Sequence, residues 1–538
     1  AFIILINKAT LSHTISKILG SKISLVYLIF IIWAMLSYFY AINPTEVLVN
    51  VARQVNVLFM FFAMTIFFFS INKRIRFISW LILIVLNVEL YFLLNEAFQM
   101  IELSGLIEPG ALKGVTANRN IAAFSIAIKI PFIFLLLFQV KKMYLKVYMG
   151  LIIFLSVFSL TMIQSRASFV AIGLIIFLLV IFLVYLFFNS KEEKRKLKNV
   201  IYLFGIFILF PIVLAIYSNK LFVSNKGADA ISRAATISLN TNDGSVNQRL
   251  RYYEDVFIHL ISNPIFGVGL GNWKLKSIDY DSKDIKGYVV PYHAHSDFIQ
   301  LGAELGVFGF LFYLGIFLIL IYYMLRLFLS KTQSLEEKTF IFILFLALSV
   351  YLVDANLNFP IARPQLLILW ATTISLTTVY YLTLKKPKPK GNFSNIFLSI
   401  SFIFLIPTLF INYKVYQSQK GQMYLLQDFN SNQFNLPLSQ VDNVVPEIPN
   451  ITVTTIPINS VKARYFVNAK KYDKALKLLE KGTGANPFLY YSEILKSQIF
   501  SQKGELDSAK IYAKKAFFGL PNNDLHSTTY IRLINITR

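Results

Sequence analysis

The sequence predicts an all-α, polytopic transmembrane helix bundle, and three observations predict it. Apolar runs of about 20 residues, the length an α-helix needs to cross a bilayer, recur through most of the chain. Only 15% of the 538 residues are charged, whereas 56% are hydrophobic and the mean hydropathy is +0.60. Soluble domains carry about 25% charged residues. Finally, every second loop between the apolar runs is basic, as the positive-inside bias of membrane proteins requires.

Reading apolar runs against breakers predicts about eleven spans. They lie near 23–42, 55–71, 77–95, 120–139, 145–163, 167–188, 199–218, 303–325, 339–353, 365–384 and 393–412. Lys8, Lys17 and Lys22 precede the first. Basic clusters then fall in alternate loops: Lys73, Arg74 and Arg76; Lys141, Lys142 and Lys146; Lys191, Lys194, Arg195, Lys196 and Lys198; Arg326, Lys331 and Lys338; and Lys385, Lys386, Lys388 and Lys390. Those loops are expected to be cytoplasmic. The apolar Ala1–Ile6 stub, without an initiating Met, predicts upstream residues and a twelfth or further helix in the full chain.

This topology absorbs most of the net charge. Lys and Arg number 52 against 28 Asp and Glu, a balance of +24. In a soluble protein that excess would suggest nucleic acid; here it marks loop orientation, and no nucleic-acid partner is expected. The chain has no cysteine, which excludes disulfides, thiolate metal sites and a cysteine nucleophile.

Three segments fall outside the cytoplasm by this count: the loop near 96–119, a long polar segment over 219–300, and everything after residue 412. The expected organisation is a transmembrane domain over 1–412 containing the large extracytoplasmic loop 219–300, a linker over 413–459, and a small α-helical repeat domain over 460–538. Tyr472-Asp473-Lys474-Ala475 is echoed by Leu506-Asp507-Ser508-Ala509, and Pro487 by Pro521, each 34 residues on. That period resembles the tetratricopeptide repeat, with a plain pair of helical hairpins as the alternative. Either way the tail is expected to hold a protein partner or the membrane domain.

The cations that break the orientation bias are the informative ones. Arg166 lies between two spans in Gln164-Ser165-Arg166-Ala167-Ser168, Arg249 and Arg251 lie in the long outward segment, and Arg363 lies in a short outward loop. Arginine at membrane depth is a functional candidate, whereas snorkelling to lipid phosphate is the alternative for Arg251 or Arg363 alone. Two guanidiniums together would make a bidentate clamp for phosphate or pyrophosphate.

Two of the five histidines stand where the long segment re-enters the membrane, in Tyr292-His293-Ala294-His295-Ser296-Asp297. Imidazole suits proton transfer near neutrality, so a general base is expected, with a capping histidine or a metal ligand as alternatives. No His-Glu-x-x-His helix supports a metal. Glu304 is either a partner for one of the arginines or a lining residue. The glycines of Asn263-Pro264-Ile265-Phe266-Gly267-Val268-Gly269-Leu270-Gly271 suggest a structural turn rather than a phosphate loop, since no Lys-Ser/Thr follows.

Arg166 after an apolar span, Arg249 upstream of Asn263-Pro264-x-x-Gly267-Val268-Gly269, and His293-Ala294-His295-Ser296-Asp297-Phe298 leading to Glu304-Leu305-Gly306 together resemble the O-antigen ligase superfamily, over roughly residues 20–385. The resemblance implies a bacterial inner-membrane glycosyltransferase that transfers a glycan from undecaprenyl pyrophosphate to an acceptor hydroxyl, with no cofactor and no metal. The acceptor it implies is lipid A-core, a second glycan or a protein, so ligase, O-antigen polymerase and protein O-oligosaccharyltransferase all remain open. Arg166, Arg249 and His295 are the catalytic residues it implies. Arg251, His293, Asn120, Glu304 and Arg363 are expected to bind substrate, Asn120 resembling an asparagine that the family places at a helix start. A lipid-linked glycan transporter is the rival outside the enzymes. Transporters place their charges near mid-membrane in related halves, and no repeated halves are visible.

Overall fold

A computed structural model describes residues 8–71, 73–189, 205–223, 244–385 and 394–536. The Ala1–Ile6 stub, Lys191, Lys194, Arg195, Lys196, Lys198, the start of the span expected near 199, residues 224–243 of the long segment, and Lys386, Lys388 and Lys390 lie outside the described residues.

Among the described residues the chain forms helices and no strands. Ten helices are long and apolar enough to cross a membrane. They are Lys22–Phe39, Pro44–Phe69, Arg74–Ser104, Arg119–Gln139, Met143–Ile163, Arg166–Phe188, Asp297–Phe328, Leu335–Leu357, Pro364–Lys385 and Asn395–Ser431, and a shorter apolar helix spans Ile206–Phe222. Each matches one expected span, several with longer ends.

Local chemistry sets those ends. Asn43 accepts from the Thr45 amide and Pro44 occupies the first helical turn, so the second span begins at Pro44 and not near 55. Ser296 caps Asp297–Phe328 through the Ile299 amide, and Ser334 forms a reciprocal capping box with Glu337. One contiguous apolar core joins the spans, with Phe30, Phe61, Phe124, Phe132 and Phe317 fully buried.

The polar end of the bundle is built differently. Helix Gly244–Ser262 leads into the glycine-rich turn, which is pinned to the start of Asp297–Phe328: Val268 N donates to Ala303 O at 3.0 Å, Gly269 N to Glu304 O at 2.9 Å, and Val307 N to Pro264 O at 2.9 Å. A side chain at Gly267 would meet Ala303 O at 2.2 Å, so glycine is required for this approach. The long helix breaks at Gly306 (φ 68°, ψ −171°), which receives the turn.

After its span the last apolar helix runs on unbroken to Ser431. After a single short turn of helix at Leu438–Val441, five longer helices follow: Ile458–Asn468, Tyr472–Ala485, Tyr491–Gln502, Leu506–Gly519 and Asp524–Ile536. The second and fourth start 34 residues apart and pack with their neighbours as helical hairpins. Their core is shared with the segment ahead of the histidines, since Ile278 and Ile285 are buried among Val461, Leu479, Leu489 and Ile494.

Candidate active site

A cavity of about 550 Å³ opens where the polar end of the bundle meets the tail. Its floor comes from Pro44–Phe69, which presents Glu46, Asn50 and Arg53 on one face at helical spacing. The re-entrant segment adds Lys274, Tyr292, His293, His295, Gln300 and Glu304, and the short loop before Pro364–Lys385 adds Phe359 and Arg363.

His295 sits at a positive φ of 58°, a conformation uncommon for a residue with a side chain. Its ring lies flat against Tyr252 at 6.3 Å and edge-on to Phe359 at 5.7 Å. Burial first, and then the Arg249 charge, depress its pKa to about 4, so the imidazole is neutral near pH 7. Nδ1 is buried and has no hydrogen-bond partner among the described residues.

His293 is held from behind. Its ring stacks on Phe359 at 3.9 Å, and Nδ1–H donates to Gln300 Oε1 at 3.2 Å. Gln300 Nε2 in turn donates to Glu304 Oε1 at 2.9 Å, and Glu304 Oε2 accepts from Gly271 N at 2.8 Å. Burial, reinforced by Arg363 and Lys274, lowers the His293 pKa well below the usual value.

The charges around the cavity are balanced only in part. Lys274 Nζ pairs with Glu46 Oε2 at 2.5 Å and donates to Tyr292 Oη at 3.0 Å, both partners of the ion pair being buried. Burial disfavours the ammonium, yet Glu46 and Tyr292 outweigh it and raise the Lys274 pKa. Arg53 Nη1 donates to Asn50 Oδ1 at 3.1 Å. The Arg363 guanidinium lies 4.6 Å over the Phe359 ring, and burial followed by repulsion from Arg53 lowers its pKa.

The predicted site residues thus fall into three groups. His293, His295, Glu304 and Arg363 line one cavity, and Arg249 stands beside His295 and Tyr253. Arg166 opens its helix directly after Ser165, whose hydroxyl donates to Asn120 Oδ1 at 2.8 Å, so these two belong to a common locus where the Arg119–Ala127 and Arg166–Asn189 helices meet. Arg251 is engaged elsewhere, at 3.1 Å from Asp281 and 3.0 Å from Asp284.

Glu46, Arg53, Lys274, Tyr292, Gln300 and Phe359 were not foreseen. A signal for the first two was present: Asn43-Pro44 is a helix-start pattern, and Glu46, Asn50 and Arg53 follow it on one face. Among the described residues no three His, Asp or Glu side chains gather as a metal-ligand set.

A multi-pass helical bundle with a polar, partly charged cavity at one end is the class of protein these features define. Residues 151–314, which run from within the Met143–Ile163 helix past Arg166 and both histidines into the re-entrant span, match the family model described as O-Antigen ligase, and that match supports an O-antigen ligase-like membrane glycosyltransferase. No curated protein matches the chain.

Proposed function

We propose that this protein transfers a glycan from undecaprenyl pyrophosphate to an acceptor hydroxyl at the extracytoplasmic end of the bundle, in a bacterial inner membrane. The observation that carries the reading is His295: a neutral imidazole lining a cavity that also holds Arg53 and Arg363. Like-charged guanidiniums facing one cavity favour an anion between them, and a pyrophosphate is such an anion.

In this mechanism the neutral His295 imidazole takes the proton of the acceptor hydroxyl as its oxygen attacks the anomeric carbon. The bond from that carbon to the pyrophosphate oxygen breaks, and undecaprenyl pyrophosphate leaves with its charge held by guanidiniums. Arg249 and Arg166 fill that role as the family resemblance implies, with Arg53 and Arg363 as further cations. A single displacement inverts the anomeric centre. The apolar spans solvate the polyprenyl chain, which brings the donor in from the membrane side. The acceptor is lipid A-core, a second glycan or a protein side chain, and the tail, read as tetratricopeptide-like, holds a protein partner. The 34-residue recurrence of its helix starts supports that reading of the tail.

His295→Ala, Arg249→Ala and Arg166→Ala are each expected to abolish transfer in cells at normal expression, with the lipid-linked glycan accumulating. Normal surface glycan in all three variants rejects the mechanism. Uptake of labelled glycan into proteoliposomes without transfer would favour a transporter instead.

A further inference from the structure

The cavity has a second wall, and it belongs to the tail. Val415, Gln419 and Gln422 reach it from the long last helix, and Pro449, Ile451, Thr452 and Val453 from a strap that crosses the opening. The strap is built to hold its shape. Asn450 exchanges side-chain hydrogen bonds with Asn43, at 2.7 and 3.2 Å, and Asn43 also donates to Ala485 O at 2.9 Å. Val453 N donates to Gln422 Oε1 at 3.1 Å, Ile458 N to Asn450 O at 3.0 Å, and Ile456 N to Thr452 Oγ1 at 3.1 Å. Ile451 is buried with Leu275 and Ala485, which locks the strap to the re-entrant segment as well.

The two walls differ in chemistry. Arg53, Arg363, Lys274, Glu46, Glu304 and the two histidines make one wall charged and titratable, whereas the tail wall carries no ionisable group. Its exposed members are the Gln419 amide and the Val453 isopropyl group, the latter 57% accessible. An amide beside an apolar face suits an uncharged, hydroxyl-rich sugar ring, which offers both hydrogen-bonding edges and C–H faces. The polyprenyl donor enters from the apolar spans and its pyrophosphate belongs with the cations, which leaves the tail side for the other substrate.

We propose that the strap 449–453 and Gln419 form the acceptor subsite, positioning an uncharged sugar of the acceptor against His295. The inference rests on the glycosyl-transfer reading above and adds that the tail is part of the substrate site. Without a positioned acceptor, water attacks the anomeric carbon instead: the same carbon–oxygen bond breaks, undecaprenyl pyrophosphate leaves, and a free reducing glycan is released.

The test uses the full chain in lipid nanodiscs, with polyprenyl-pyrophosphate-linked glycan extracted from host membranes as donor and the host's glycan-bearing membrane fraction as acceptor. It measures the ratio of free reducing glycan to transferred glycan. Gln419→Leu and Val453→Trp are expected to raise that ratio by at least about tenfold, the loss typical of one positioning contact. Because the chain has no cysteine, Val453→Cys labelled with a bulky maleimide makes the same measurement on a protein already folded, with unlabelled wild type as control. An unchanged ratio in the labelled protein overturns the proposal, as does a rise confined to the KM for the donor, which would assign the wall to the donor glycan. Wild-type protein that cleaves no lipid-linked donor at all rejects the glycosyl-transfer reading itself.

Discussion

Asn43 and Asn450, 407 residues apart, exchange a reciprocal pair of side-chain amide hydrogen bonds, and Asn43 is at the same time the N-cap of Pro44–Phe69. The helix that supplies Glu46 and Arg53 is therefore capped by the residue that fastens the strap. Capping and strap closure should be inseparable. Asn43→Ala removes the cap, worth about 1 kcal/mol, and strands buried polar groups at about 1–3 kcal/mol more. Asn450→Ala loses only the second part. Thermal unfolding in detergent should show the Asn43 variant as the less stable of the two, and equal losses would contradict the dual role.

The buried Lys274–Glu46 pair makes a second prediction. Lys274→Met leaves a carboxylate without its counter-charge in a buried site and should cost about 3–5 kcal/mol. Adding Glu46→Gln should return much of that loss. A double-mutant cycle by chemical denaturation checks the sign of the coupling, and additive losses would show that the two groups are independent.

On the proposed mechanism, the pH profile of transfer follows from His295 acting as the base. Its pKa lies near 4 in the free protein because burial and Arg249 disfavour the imidazolium. Protonation removes the base, so kcat/KM should hold down to about pH 4 instead of falling near 6.5, the usual imidazole value. A bound pyrophosphate offsets the Arg249 charge and raises the pKa, so the acid limb of kcat should lie at higher pH than that of kcat/KM. Arg249→Gln should move the limb of kcat/KM upward in its residual activity. Coincident limbs in all three profiles would exclude His295 as the titrating group.

Docking of the tail should be acid-sensitive. His526 is fully buried, with Nδ1 against Ala516 O at 3.0 Å and Nε2 at 3.0 Å from Tyr288 Oη, and burial lowers its pKa to about 4. Its folded pKa lies below the unfolded value of about 6.5, so the unfolded chain takes up the proton first. The stabilisation is complete above pH 6.5 and falls with pH toward 4, by up to about 1.4 kcal/mol per unit. His526→Gln should flatten the melting temperature between pH 6.5 and 4 relative to wild type; an unchanged slope would place the sensitivity elsewhere.

How much of this was legible beforehand differs by element. Each expected span has a helix among the described residues, because about 20 consecutive apolar side chains leave the backbone no other way to satisfy its polar groups in hydrocarbon. The helix expected from near 55 starts at Pro44, because Glu46 and Arg53 lower the local hydropathy while Asn43-Pro44 supplies the helix-start chemistry. The histidine segment was found because imidazoles are rare in this chain. Lys274 and Phe359 gave no sign, since each matters only through what packs beside it: Lys274 between Glu46 and Tyr292, Phe359 beneath His293 and Arg363.

By itself, then, the sequence determined a basic, cysteine-free helical membrane chain, its order of spans and its unusual histidines and arginines. Those properties depend on composition and local periodicity, which are written residue by residue. Only the tertiary structure decided that Arg363 shares a cavity with His293 and His295, that Arg251 belongs to Asp281 and Asp284, and that a strap near residue 450 closes over residue 43. Such pairings are set by which surfaces can exclude water and satisfy each other's hydrogen bonds across hundreds of residues, and no local pattern encodes that choice.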